Sequence, residues 1–341
     1  DGPQVAVGCG VAVEPGRTGH DVERAVVDAA DRTATRRDAV RIVKCPARVH
    51  TEGELIESDQ ARGVFEAVVG DGDRCRLSGG GGGDTGGLWI SSAYNSLEND
   101  FSRTSFYGAT HNVLAGFDVT RSDRYVLGVS VGHEASNFVT SFNAGNEKTR
   151  GFNLNPYFAY LLSDTWSVDL IMGYGEFDTR QSWTLGTGPF TTLAVDSEFS
   201  STRGFVSTNL TNVSARGNWR LTSSLGLLAS RREHDAYVES IGTAVAGTKQ
   251  TIEQWNLLGE AAYGRGNSET YVGLMYEKTP DPLKVEFATG EQPANDPDSV
   301  LLSAGWRYFG RGLTANFAFS KRVAQDQVNE YGFSMMIRVD L

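Results

Sequence analysis

The sequence predicts an all-β fold: a transmembrane, antiparallel, up-and-down β-barrel of about twelve strands, preceded by a small α+β segment. Three observations carry that prediction. From Leu88 onward, apolar residues recur at every second position in about twelve successive segments, the period of a strand whose two faces meet different media. The connections between the segments alternate between tight and long, as in barrels with short turns on one side of a membrane and longer loops on the other. No uninterrupted apolar run reaches the roughly 18 residues that a membrane helix needs. A barrel wall needs none, because lipid-facing and lumen-facing residues alternate and average to the mildly negative mean hydropathy seen here.

The first unit is residues 1–78. Within it, "DVERAVVDAADRTATRRDAVRIV" offers Asp21 as an N-cap and sets Val22, Val26, Ala29 and Ala30 along one face of an amphipathic helix. Apolar runs at 5–13, 40–49 and 64–69 suit short strands, which makes this a small α+β module. All three cysteines, Cys9, Cys45 and Cys75, fall here. An oxidising compartment allows one disulfide among them, and spacing leaves all three pairings open.

Residues 79–87 follow as a linker. Five consecutive glycines, Gly79 to Gly83, have no side chains to pack and high backbone entropy.

The barrel unit is 88–341. Its expected strands are 88–97, 105–119, 124–138, 149–162, 165–179, 199–215, 218–235, 250–263, 268–278, 299–309, 313–322 and 328–341. Short connections, "TRSD" from Thr120, "SD" from Ser163, "RGN" from Arg216, "GRGN" from Gly264 and "GRG" from Gly310, are rich in hairpin residues. Long ones are expected at 97–104, 139–148, 180–198, 236–249 and 279–298, with 323–327 shorter than its place in the alternation requires.

The faces read consistently. Tyr125, Leu127, Val129 and Val131 alternate with Val126, Gly128, Ser130 and Gly132. The final strand sets Tyr331, Phe333, Met335, Ile337, Val339 and Leu341 against Gly332, Ser334, Met336, Arg338 and Asp340, so its odd row is the lipid-facing one. Aromatics near strand ends, Trp89, Tyr94, Phe106, Tyr107, Phe117, Tyr125, Phe138, Trp166, Trp219, Tyr308 and Phe309, are expected at headgroup level. Asp118, Asp169, Glu260, Arg307 and Arg338 fall on the polar faces, where they are expected to line the lumen and to need partners or water.

Chemical motifs are sparse. A net charge of −11 with no basic block argues against nucleic acid as a partner. "GVSVG" at Gly128–Gly132 fits a nucleophile pattern, with His133 beside it. That chemistry needs a strand-to-helix elbow, whereas Ser130 lies inside a continuing strand. A barrel-borne hydrolase would need a serine activated by His111 or His133, both expected to face outward. Cys9, His20, Cys45, His50 and Cys75 lack a C-x-x-C pair, and the acidic stretches "GDGD" from Gly70 and "ANDPDS" from Ala294 lack a calcium loop's ligand spacing. No catalytic residue, cofactor or metal site is expected.

The runs "LAGFDVTRSDRYVLGVSVGHEASNF" from Leu114, "NLNPYFAYLLSDTWSVDLIMGYGEFDTRQSW" from Asn153 and "NWRLTSSLGLLASRREHDAYVESIG" from Asn218 resemble the bacterial autotransporter β-domain. The likeness extends from about Leu88 to Leu341 and rests more on order and strand count than on pieces such as Gly116 with Asp118 or Asn155 with Tyr157. The chain departs from the family in ending at Leu341, with Phe333 eight positions earlier, where family barrels commonly end in an aromatic residue. The resemblance implies a twelve-stranded barrel in the outer membrane of a Gram-negative bacterium that anchors, and helps to export, an N-terminal passenger. It also implies outer-membrane lipid and the barrel assembly machinery as partners, the latter reading the row Tyr331 to Leu341. The alternative is a stand-alone channel or structural barrel whose N-terminal module plugs the lumen or docks a partner.

Overall fold

The computed structural model describes residues 85–101, 105–122, 124–188, 191–280 and 298–341. The expected N-terminal helix and strands, Cys9, Cys45, Cys75, His20, His50 and "GDGD" lie outside the described residues.

Twelve strands close a single antiparallel barrel. They are β1 (Thr85–Asn99), β2 (Phe106–Arg121), β3 (Tyr125–Thr140), β4 (Gly145–Leu161), β5 (Trp166–Gly188), β6 (Thr191–Arg216), β7 (Trp219–His234), β10 (Thr248–Arg265), β11 (Ser268–Lys278), β12 (Asp298–Gly310), β13 (Leu313–Val323) and β14 (Val328–Asp340). A two-residue pair, β8 (Tyr237–Val238) and β9 (Ala244–Val245), forms a small separate hairpin between β7 and β10. Each barrel strand pairs with its sequence neighbour, and β14 closes on β1 from Gly87↔Asp340 to Asn99↔Val328. Closure leaves no unpaired edge, the condition for a sheet to sit in hydrocarbon.

The wall is inverted relative to a water-soluble protein. Phe152 is 71 % exposed and Val131 57 %, while Arg338 and Asp118 are 1 % and 0 % exposed. Outward rows such as Leu127, Val129 and Val131 are apolar, and the residues between them point inward. Exposed large apolar side chains on every barrel strand form a band far beyond what a soluble monomer leaves uncovered. The closing strand follows the rule: Tyr331, Phe333, Met335, Ile337, Val339 and Leu341 are all exposed, and Glu330, Met336 and Arg338 are buried.

One end of the barrel carries the tight turns. Three of them pass through a left-handed glycine, Gly217, Gly266 and Gly312, with φ of 61°, 63° and 69°. Thr85 and Leu341 lie at this same end, where Leu341 N donates to the Gly86 carbonyl at 2.8 Å.

Several expectations are corrected. β1 begins at Thr85, so 85–87 belong to the wall rather than the linker; Gly86 pairs with Val119 and Gly87 with Asp118. The loop expected at 139–148 is a turn between Thr140 and Gly145, in which Asn143 Oδ1 accepts from Gly145 N at 3.1 Å. The loop expected at 180–198 is mostly strand: β5 and β6 run 23 and 26 residues and pair through Arg180↔Glu198 to Gly188↔Thr191. About 9–11 residues suffice to cross a bilayer, so this hairpin stands well above the apolar band. Its outward row there carries water-exposed Arg180 and Glu198 while Val195 and Ser197 on the inner row are buried, so the apolar-outside alternation that marks the lower strand is absent. Three aromatics expected in a girdle, Trp89, Phe106 and Phe138, are buried on the inner face. Phe106 and Phe138 meet edge to face at 5.9 Å beside Leu97. Nearness to a strand end says nothing about side; parity along the strand does.

Candidate functional site

The barrel's distinctive chemistry lies on its inner wall, and its most connected group spans the closure seam. Arg338 on β14 donates from Nη1 and Nη2 to Oδ2 and Oδ1 of Asp118 on β2, at 2.6 and 2.7 Å. Tyr157 on β4 donates its hydroxyl to Asp118 Oδ2 at 2.8 Å, and Trp89 on β1 donates Nε1 to the Tyr157 oxygen at 2.7 Å. Arg338 Nε also reaches Asp340 at 3.1 Å. To meet Asp118 the guanidinium must cross β1, and it crosses over Gly87, the residue paired with both Asp340 and Asp118. A Cβ on Gly87 would collide with it. Gly128, between Asp118 and Tyr157 in register, makes room for the Tyr157 ring in the same way. Trp89 and Tyr157 also belong to an apolar cluster with Leu114, Ile171, Phe205 and Met336. Charge-assisted, two-point hydrogen bonding between buried partners is strong and specific in geometry.

A second group lies near the same rim on the opposite side of the ring. Arg307 on β12 forms a two-point contact with Glu260 on β10, both bonds 2.7 Å, and also reaches Glu269 on β11 at 3.3 Å. Its guanidinium lies 3.8 Å over the Tyr271 ring, whose hydroxyl donates to Asn316 at 3.2 Å. Arg220 on β7 completes the set by bonding Glu269. Higher on the wall, Arg203 pairs with Glu134 at 3.0 Å and lies 4.3 Å over the Phe177 ring. Near the loop end, Arg322 bonds Glu330 at 2.5 Å and also meets Glu277 and Ser299.

The five charges singled out in the sequence all point inward, four of them into these groups. Asp169 stands apart: Asn209 Nδ2 donates to its Oδ1 at 2.8 Å, and its other oxygen has no hydrogen-bond partner among the described residues. Sequence reasoning missed Glu134, Arg203, Arg220, Glu269, Glu277, Arg322 and Glu330. Parity was the signal for them: each shares its strand's inward row, as Arg203 does with Phe205.

The nucleophile-like motif is divided between two media. Ser130 is buried on the inner face, where it accepts from Asn155 Nδ2 at 3.3 Å, whereas His133 is outside, edge-on to Phe152 at 4.9 Å. His111 Nε2 does meet a serine outside, Ser92 Oγ at 3.0 Å. Among the described residues, no carboxylate occupies the outward positions of β1–β3 next to His111, where the acid of a hydrolytic triad would orient that imidazole. At the outer rim, Glu233 bonds Lys249 at 3.2 Å and Arg231 at 2.6 Å; these hydrogen bonds, Lys249's foremost, hold its carboxyl below the usual glutamate range. No cluster of three or more His, Cys, Asp or Glu fit to hold a metal occurs among the described residues.

A closed twelve-stranded ring with an apolar exterior and a lumen wall of arginine–carboxylate pairs defines an outer-membrane-type barrel. The chain belongs to the autotransporter β-domain family, which matches residues 88–261, just over half its length. Solved structures of the same fold include three autotransporter barrels. The translocator domain of NalP from Neisseria meningitidis is 12 % identical, with a TM-score of 0.65, over 83 % of this chain and 94 % of that one. The β-domain of Bordetella BrkA is 16 % identical, with a TM-score of 0.59, over 75 % and 99 %. The transport unit of AIDA-I from Escherichia coli is 11 % identical, with a TM-score of 0.55, over 75 % and 90 %. No curated protein sequence matches the chain. Family membership implies the outer membrane of a Gram-negative cell, and translocator barrels of this family are transport domains rather than enzymes.

Proposed function

We propose that this chain anchors an N-terminal passenger in the outer membrane and carries it through the lumen to the cell surface. The passenger is residues 1–78 or a longer segment of which they are the end. The observation that carries this reading is the position of β1: it starts at the rim of tight turns, the periplasmic rim in barrels of this type, beside the end of β14. Whatever precedes Thr85 therefore stays on the periplasmic side or threads the ring. The polar, paired inner wall suits the second route, because a passing extended chain needs hydrogen-bonding surroundings in place of hydrocarbon.

Two parts of the reading concern other molecules. Lipid covers the outward apolar rows, and the barrel assembly machinery reads the row Tyr331, Phe333, Met335, Ile337, Val339 and Leu341 while that strand is still unpaired. The inward charges Asp118, Asp169, Glu260, Arg307 and Arg338 set the electrostatics of the passage.

The test is the location of residues 1–78 in intact cells. An epitope tag placed before Asp1 becomes sensitive to added protease without breaking the outer membrane if the passenger is surface-exposed. Protection until the outer membrane is permeabilised would favour a plugged channel, or a module docking a periplasmic partner.

A further inference from the structure

We infer that the outer wall of β1–β4 holds a binding site for the phosphate groups of a phosphorylated outer-leaflet lipid. A recess of about 250 Å³ opens there, lined by Tyr94, Ala109, His111, Ala135, Lys148 and Arg150 among others. Register explains its shape. Across the sheet Tyr94 pairs with His111, His111 with Ala135 and Ala135 with Arg150; one dyad higher, Ala109 pairs with Asn137 and Asn137 with Lys148. The methyl side chains of Ala109 and Ala135 thus form a floor between taller walls, Tyr94 and His111 on one side and Lys148 and Arg150 on the other. Adjacent strands are about 4.8 Å apart, so His111 and Arg150, two strands apart, bracket a gap of roughly 10 Å, the scale of a phosphorylated sugar headgroup.

Position and charge identify the occupant. Below the recess the outward rows are hydrocarbon-like, with Val131 and Leu127 on β3 and Phe152 and Leu154 on β4. The cations stand immediately above Phe152, toward the end of the barrel away from the tight turns. That is the headgroup level of the outer leaflet if the barrel is placed as in the proposed function, on which this inference rests. On β2, β3 and β4 the outward residues above the apolar band include His111, His133, Lys148 and Arg150 and no carboxylate. The nearest outward acids belong to flanking strands. Asp178 on β5 pairs in register with Arg150 and accepts the Ser200 hydroxyl at 2.9 Å; Glu176, two residues below it on the same outward row, pairs in register with Phe152; Glu198 is held by Arg180 at 3.1 Å; Glu98 is at the top of β1. Ser92, bonded to His111 at 3.0 Å, fixes that ring at the recess edge. A planar guanidinium, an ammonium and a hydroxyl-anchored imidazole around a small-residue floor form a phosphate cradle, while the apolar rows beneath receive acyl chains.

The full chain, refolded in detergent and checked for the heat-dependent gel shift of a closed barrel, is titrated in nanodiscs of neutral phosphatidylcholine. One series contains bisphosphorylated lipid A, the other the same lipid with its phosphates removed, and retained lipid is read by native mass spectrometry. A barrel that fails to close sinks the membrane reading itself and is seen before any lipid is added. With a closed barrel, the phosphorylated lipid is expected to be retained in preference. Lys148→Gln with Arg150→Gln should lower its retention about 25-fold, roughly fivefold for each cation, whereas Lys321→Gln, an outward cation elsewhere on the ring, should not. If the double variant does not close, each single variant is read alone, with a fivefold loss expected. Equal retention of both lipids, an unchanged double variant, unchanged single variants or equal loss in Lys321→Gln overturns the site. Displacement of the lipid by inorganic phosphate at equal concentration would make this a free-anion site and overturns the lipid assignment.

Discussion

Arg338 on the last strand holds Asp118 on the second strand by two hydrogen bonds, 2.6 and 2.7 Å long, across the backbone of the first strand. The barrel's closure is therefore fastened by side chains as well as by the ladder between β1 and β14. Gly87 is the gap through which that fastening passes.

Removing one partner of this buried pair strands the other. Arg338→Ala or Asp118→Ala is expected to cost about 3–5 kcal/mol, measured as the urea midpoint of the barrel in detergent. Gly87→Ala should destabilise in the same direction without removing a charge, since its methyl group and the guanidinium compete for one space. A double variant, Arg338→Met with Asp118→Leu, should recover much of the loss.

The outward row of β14 and its inward row should respond differently to charge. Phe333→Asp puts a carboxylate on the lipid face, half exposed in the closed wall, and should reduce outer-membrane assembly in cells several-fold. Ser334→Asp, on the inward row beside it, should be tolerated better. Deletion of Tyr331–Leu341 should abolish assembly, read as the fraction of chain showing the heat-dependent gel shift.

Arg307 holds two carboxylates at once, Glu260 and Glu269. Arg307→Ala leaves their charge partly uncompensated on the lumen wall. The reversal potential in planar bilayers should move toward cation preference, by about twofold or more in permeability ratio. An unchanged current would mean that this part of the wall does not border the ion path.

The upper β5–β6 hairpin stands clear of the bilayer, so its tip should be dispensable for the barrel. Replacing Trp183–Val195 with an Asn-Gly turn between the paired Ser182 and Asp196 should leave closure and the urea midpoint nearly unchanged. A large loss would show that the hairpin supports the ring below it.

How much of this was legible in the sequence depended on what each residue's two faces touch. Val129 and Val131 meet hydrocarbon while Val126 and Ser130 meet the lumen wall, so period two was written plainly and fixed both strand and side. Arg180 and Glu198 pair on the water-exposed outer face of the upper hairpin, and Gln181 on its inner face is polar too, so the strand continues there with no alternation to reveal it. The inward charges of the lower wall could be read by parity, as for Asp118 and Arg338. Their partnership could not, because it joins residues 220 positions apart through a closure that only the folded ring creates. The recess beneath His111 and Arg150 was equally hidden: its floor is two alanines on separate strands, and their depth depends on register.

Lipid, and no second protein layer, is expected to cover the outside of this ring. Spin labels placed singly at Val126, Leu127, Val129, Ser130 and Val131, with Cys9, Cys45 and Cys75 changed to serine, test it in lipid vesicles by collision with dissolved oxygen and with a water-soluble nickel chelate. Oxygen should dominate at 127, 129 and 131 and fall at 126 and 130. Preference for the nickel chelate at the odd positions, or equal shielding from both probes there, would contradict the account.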